Sequence, residues 1–352
     1  MIIGMPRETR EGERRVALMP GAVETLVGEG HEVRVQSGAG EGIGLTDRDY
    51  ERAGAMLVSG FDAWSADLIV KVKELQDIDF RIAPPGRTLF AFQHLPREPQ
   101  RTRALSGRGD TAIAFENLEM HEGYFPLLAP MSSIAGRMAV DVAAKLRNGD
   151  LGEVLILGAG HAGLSAARVL SRNRIKASLL TRSEATRDAA REQGFVAEIA
   201  DPERIEALAR AADVVIGAIF VPGQPTPKLL PASLVRRMKK GSVIVDISID
   251  AGGVAETSRP TTHQRPTFVE HGVIHYCVPN MPAALPAEGS EAISVAALPW
   301  VRQMAAKGVA TAIRESEPLQ RAVLVWKGQV THEGIAAEAG LPYTPLSEAA
   351  LA

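Results

Sequence analysis

The chain carries only one cysteine, Cys277, so an internal disulfide framework and a cysteine metal cluster are both excluded. A lone thiol suits a reducing compartment, and the cytoplasm is the expected location. No uncharged apolar run reaches the roughly 20 residues of a membrane span. Nor does an apolar leader open the chain: Arg7, Glu8, Arg10, Glu11, Glu13, Arg14 and Arg15 crowd its start, which reads against a signal peptide. Long basic runs are missing too. The longest is Arg236-Arg237-Met238-Lys239-Lys240, which reads as a charged helix end ahead of a strand, and the net charge is only −3. Neither nucleic acid nor a membrane surface is therefore expected as a partner. His31, His121, His161, His263, His271, His275 and His332 stand at no metal-ligand spacing with cysteines or carboxylates, so no metal is expected.

Aromatics are scarce at 5%, whereas the sequence has 33 Gly and 22 Pro, a balance that suits an α/β protein with many tight strand-to-helix turns. A chain of 352 residues, 45% apolar, is long enough for two such domains. Strands are predicted at 1–5, 31–36, 67–72, 88–92 and 111–115, with a helix over 20–30. An amphipathic helix over 131–147 follows, ending at Asn148-Gly149. A second series of strands is predicted at 153–157, 176–180, 196–200, 213–219 and 242–247. The stretch 290–307 reads as a long helix that Pro299 should kink or interrupt. The C-terminal remainder, with helix and short strand signals, is too small to stand alone and should pack back on the N-terminal half. The expected fold is α/β: two Rossmann-like domains with mostly parallel sheets and a cleft between them. Residues 1–127 plus 287–352 are expected to form the substrate (catalytic) domain, and 128–286 the dinucleotide-binding domain.

The sharpest local signal is Gly158-Ala159-Gly160-His161-Ala162-Gly163, set between an apolar strand and a helix. Gly158 permits the tight turn, Gly160 lets the backbone approach a pyrophosphate, and Gly163 lets helix and strand pack closely. The helix N-terminus offers free N–H groups to the phosphates. NAD or NADP is thus the expected cofactor. The fingerprint also expects an acidic residue about 20 positions on, at the second strand's tip, to grip the ribose. Here that tip reads Leu180-Thr181-Arg182-Ser183, without Asp or Glu. Arg182 is either a solvent-facing loop residue or a cation beside a 2′-phosphate, and both readings stand.

Ordered segments along nearly the whole chain carry a resemblance. They begin with Gly4-Met5-Pro6-Arg7-Glu8-Thr9, Glu13-Arg14-Arg15-Val16-Ala17-Leu18-Met19-Pro20, Gly38-Ala39-Gly40-Glu41-Gly42 and Val70-Lys71-Val72-Lys73-Glu74. Pro126-Leu127-Leu128-Ala129-Pro130-Met131-Ser132 and Ala135-Gly136-Arg137 follow, then Gly217-Ala218 with Val221-Pro222-Gly223. Val245-Asp246-Ile247-Ser248-Ile249-Asp250, Ser258-Arg259-Pro260-Thr261-Thr262 and Asn280-Met281-Pro282 complete the set. Together they resemble the alanine dehydrogenase family and, more distantly, the cofactor-binding subunit of proton-pumping transhydrogenase.

The resemblance implies reversible NAD(P)-dependent oxidative deamination of L-alanine, or a related small amino acid, to the 2-oxo acid and ammonia. It implies that Arg15 binds the substrate carboxylate, as a guanidinium fork suits. Lys73 would bind the carboxylate or polarise the carbonyl, and Lys71, two residues earlier, would share its face on an ideal strand. His94 is implied as the catalytic proton carrier, at an ordinary pKa of about 6.5. Asp250 would lie near the nicotinamide ribose and the ammonia. Ser132, Asn280 and Met281 would frame the nicotinamide, while Val221, Thr181 and Arg182 would line the dinucleotide. A homo-oligomer, often a hexamer, is implied as well.

Three departures bear on substrate and cofactor choice. The Gly-rich insert usual before the fingerprint strand is missing, so Asn148-Gly149-Asp150-Leu151-Gly152 connects directly. Leu75 replaces the proline of the lysine motif. Glu288-Gly289-Ser290-Glu291-Ala292-Ile293-Ser294-Val295-Ala296-Ala297 replaces a threonine-rich segment. Two alternatives are a transhydrogenase-like subunit, which would need a membrane partner, and a non-catalytic dinucleotide-binding protein, which would be expected to lose His94 or Lys73.

Overall fold

A computed structural model describes residues 1–96, 98–121, 123–221 and 224–349. Pro222 and Gly223 of the Val221-Pro222-Gly223 match lie outside the described residues. The chain divides into two units: Met1–Pro130 with Ala283–Ala352, and Met131–Pro282.

The first unit opens with β1 (Ile2–Met5), β2 (Glu32–Gln36), β3 (Met56–Val58), β4 (Leu68–Val70), β5 (Thr88–Ala91) and β6 (Thr111–Ala114). The second holds β7 (Val154–Leu157), β8 (Ala177–Thr181), β9 (Val196–Ile199), β10 (Val214–Gly217), β11 (Val243–Asp246), β12 (Thr267–Glu270) and β13 (Val273–Tyr276). The chain then returns to the first unit with β14 (Val323–Trp326) and β15 (Gln329–Val330).

The first sheet has the order β15-β14-β6-β5-β4-β1-β2-β3. Strands β1 to β6 pair in parallel, and β14 runs antiparallel to β6. The winding reverses between β1 and β4. Ligand sites in open α/β sheets lie at such a switch point, beyond the carboxyl ends of the strands. Those ends lead into Pro6-Arg7-Glu8 and Lys71-Val72-Lys73. The second sheet runs β12-β13-β11-β10-β7-β8-β9, with its switch point between β7 and β10.

Every residue of β6, β7, β10 and β11 is buried, which explains why they are apolar apart from Thr111 at the start of β6 and Asp246 at the end of β11. Leu155, Leu157, Leu180, Val215 and Ile244 anchor the core of the second unit. Each such side chain contributes about 1.5–3 kcal/mol by leaving water.

Two expectations are corrected, and one hairpin lies outside them. Pro299 does not interrupt its helix, which runs unbroken over Pro286–Lys307. The amide that proline removes would have bonded the carbonyl of Val295, and Val295 is 65% exposed, so water can satisfy the freed group. The strand predicted over 67–72 ends at Val70, although Lys71 N–H and Val72 C=O still bond the backbone of Phe90 and Phe92. The hairpin of β12 and β13 was not predicted. Its two-residue turn, His271-Gly272, takes positive φ at both positions, with His where Asn or Asp is the usual signal.

Candidate active site

In the second unit the glycine turn follows β7. Gly158 has φ +109, and a Cβ there would lie 2.4 Å from the carbonyl oxygen of Ala218, just past β10. A Cβ on Gly163 would lie 1.9 Å from the carbonyl oxygen of Gly158, so only glycine lets the helix His161–Arg172 close on the turn. At Gly160 a Cβ would meet nothing within 4 Å. That side is open, as an approaching pyrophosphate requires. Gly160 caps the helix without a side chain, leaving backbone N–H groups for an anion. The three glycines therefore fit a bound dinucleotide. Gly136 adds a third close approach, since a Cβ there would lie 2.1 Å from the carbonyl oxygen of Ala162.

The other expected cofactor residues are distributed around this turn's sheet. Thr181, at the tip of β8, is buried and shares a 2.6 Å hydroxyl hydrogen bond with Thr186, whereas Arg182 is exposed. Val221 is half-buried after β10, beside exposed Phe220. Asp250 lies on the 3-10 turn Ile247–Ala251 that follows β11. Its Oδ2 accepts the backbone N–H of Asn280 at 3.2 Å, and Asn280 holds φ +52. Asp250 and Asn280 are thus brought together. Met281 is buried beside them in sequence, and Ser132 is half-buried in the helix Leu128–Leu146. Asp246, wholly buried at the end of β11, accepts from Val254 N–H and Ser258 Oγ–H at 2.8 and 2.6 Å. Burial raises its pKa against those bonds.

In the first unit the charged residues of the N-terminal loop meet the exits of β4 and β5. Arg15 donates to both oxygens of Glu13, from Nε at 2.7 Å and from Nη2 at 2.6 Å. Both side chains are only 1% exposed. Burial pushes the Glu13 carboxyl up, but the bonds and charge of Arg15 outweigh it and leave the pKa lowered. Lys73 is buried close by, with Nζ 5.6 Å from the centre of the Phe92 ring. Burial, then the charge of Arg15, lowers its pKa. Phe92 in turn stacks on His94, with ring centres 5.8 Å apart. His94 adopts φ +49, a left-handed conformation held by its N–H donating to Glu116 Oε1 at 2.6 Å. The unit therefore brings Lys73 and His94 to one phenyl ring, with the charge of Arg15 acting on Lys73. Glu8, Glu13 and Arg15 also line a depression of about 330 Å³, a volume suited to a small molecule.

Lys71 does not share the surroundings of Lys73. Its ammonium lies 3.3 Å from Asp79, 3.6 Å from Glu8 and 5.3 Å from the centre of the Trp64 ring. It pairs with two buried carboxylates, and its donation to the Arg7 carbonyl holds the loop there. Sequence reasoning gave no role to Glu13, Glu116 or Phe92. Glu13 stands two residues before Arg15, an available signal for pairing in extended backbone. Glu116 reaches His94 only because β5 pairs with β6, which brings Ala91 opposite Ala114. No group of three or more His, Cys, Asp or Glu that could hold a metal occurs among the described residues. No helix among them is long and apolar enough to cross a membrane.

Two doubly wound α/β units, one bearing the dinucleotide glycine turn and the other a buried arginine and lysine with an exposed histidine, define a two-domain nicotinamide-dependent oxidoreductase. Residues 4–135 match the family described as alanine dehydrogenase/PNT, N-terminal domain, and residues 131–333 match its C-terminal domain. The chain belongs to the alanine dehydrogenase/PNT family. It is 39% identical over 372 residues to an alanine dehydrogenase of Mycolicibacterium smegmatis, covering 99% of each chain. A solved L-alanine dehydrogenase superposes with a TM-score of 0.90 at 36% identity, over 96% of this chain and 98% of that one. The transhydrogenase from Sinorhizobium meliloti shares the fold, with a TM-score of 0.83 at 24% identity, over 94% of this chain and 99% of that one.

Proposed function

We propose that this chain catalyses the reversible oxidative deamination of L-alanine, or a related small amino acid, to the 2-oxo acid and ammonia. The observation that carries this reading is the buried Glu13–Arg15 fork beside Lys73 in a chain of this family. Arg10, Arg15 and Lys73 stand there with Glu13 and Glu74, and a guanidinium fork among them suits a substrate carboxylate. Arg15, oriented by Glu13, would hold that carboxylate. Lys73, its pKa lowered, would donate a hydrogen bond to the carbonyl oxygen and exchange a proton more readily than an ordinary lysine. His94 would carry the proton of the imine and carbinolamine steps. Asp250 would receive the ammonia and the nicotinamide ribose, with Ser132, Asn280 and Met281 framing the nicotinamide. The dinucleotide, when bound, supplies the hydride acceptor.

In this reading residues 1–127 and 287–352 serve the substrate, and 128–286 the dinucleotide through Gly158, Gly160, Gly163, Thr181, Arg182 and Val221. A cytoplasmic homo-oligomer, hexameric as the resemblance implies, is part of the same reading, and the single cysteine favours the reducing compartment. The direct test follows the absorbance of NADH and NADPH with pyruvate and ammonium. Oxidation of the coenzyme that requires both partners is expected. Coenzyme binding without turnover of any 2-oxo acid would overturn the enzymatic reading in favour of a binding protein.

A further inference from the structure

The tip of β8 is where a bound dinucleotide's adenosine ribose would lie, because β8 runs beside β7 and the carbonyl of Leu180 accepts the N–H of Gly158 at 2.8 Å. Recognition of a free 2′-hydroxyl calls for a carboxylate there. The nearby carboxylates are engaged elsewhere. Glu184 and Asp188 face Arg187 at 3.7 and 2.8 Å. Asp201, just past β9, accepts the backbone N–H of Arg204 at 2.8 Å, and Glu198 faces the Arg204 guanidinium at 2.5 Å. The Thr181 hydroxyl is taken by Thr186, and Ser183 Oγ accepts from Thr186 N–H. Arg182 differs from this set: it is exposed, and its guanidinium makes no ion pair or hydrogen bond with the described residues. The charge at the tip is thus an uncommitted cation, with no carboxylate free to grip a ribose diol.

We propose that the Thr181-Arg182-Ser183 tip selects the 2′-phosphorylated dinucleotide, NADP(H), with Arg182 as the specificity-determining residue. The inference rests on the dinucleotide-binding reading of the second unit. A guanidinium–phosphate bond has the strength of a charge-assisted pair, while a missing carboxylate forfeits the ribose bonds of NAD(H).

The test is direct titration of the full-length protein with NADPH and with NADH, followed by nicotinamide fluorescence at constant ionic strength and without substrate. NADPH is expected to bind at least about tenfold tighter than NADH. Arg182→Ala should weaken NADPH by about that factor and leave NADH within about twofold. Thr181→Asp should reverse the preference by restoring a carboxylate. NADH binding as tightly as NADPH, or an Arg182→Ala variant that weakens both equally, would overturn the proposal while leaving the dinucleotide site intact. Failure of both coenzymes to bind would overturn the site itself and the proposal with it.

Discussion

Glu13 and Arg15 bury opposite charges, each of which would be costly alone. Their forked geometry fixes the guanidinium plane before any substrate arrives. Glu13→Gln leaves Arg15 buried without its countercharge, and a stability loss of about 3 kcal/mol is expected by chemical denaturation. A rise in KM for the 2-oxo acid should accompany it, since the guanidinium would no longer be aimed. The pH dependence has a definite sign. The folded pKa of Glu13 is lowered, so its contribution is complete above the ordinary carboxylate value of 4.5 and is lost as pH falls through the lower folded value. The Tm of the wild type should therefore drop more steeply than that of Glu13→Gln as the solution is acidified below pH 4.5.

Lys73 has the opposite balance. Its folded pKa is lowered, so the native state disfavours the ammonium, and the strain is relieved as pH rises from the folded value toward 10.5. Lys73→Met should hold or raise the thermal midpoint at neutral pH. Turnover should fall by about a hundredfold or more, the usual worth of a positioned proton donor. A variant that loses stability in step with activity would make Lys73 a structural residue.

At the scale of elements, the strand-to-helix turn after β7 is the most constrained piece of backbone. Gly163→Ala would place a methyl 1.9 Å from the carbonyl oxygen of Gly158, so backbone must shift. A loss of about 1–3 kcal/mol is expected, together with weaker coenzyme binding measured by fluorescence titration. Gly160→Ala meets nothing within 4 Å in the free protein and should keep its stability while still weakening the coenzyme. This turn was legible from sequence because its chemistry is local: glycines at fixed spacing between an apolar strand and a helix. The clamp on His94 was not legible, because Glu116 lies 22 residues away and meets it only through the pairing of β5 with β6. The helix itself was legible, but the interruption expected at Pro299 does not occur, since local propensity takes no account of a solvent-facing carbonyl.

At the scale of the whole molecule, each unit is a doubly wound sheet with its own switch point, and the proposed function divides the ligands between them. A coenzyme held by the second unit should stabilise that unit by mass action, by about 2.7 kcal/mol at a hundredfold excess over Kd. Hydrogen exchange with saturating coenzyme should slow most among core amides of β7, β8, β10 and β11. Uniform slowing of the β1–β6 amides in the absence of substrate would contradict that division of labour.

The sheet of the first unit is finished by β14, which pairs with β6 across an interval of more than two hundred residues of chain. On the ribosome the complete second unit therefore emerges while β6 is still a bare edge. An unpaired edge of that kind invites pairing with other chains. The final strands thus act as a late closure in biosynthesis, and any stall or premature stop after Pro282 would release a protein whose second unit is whole and whose first sheet is sticky and unfinished.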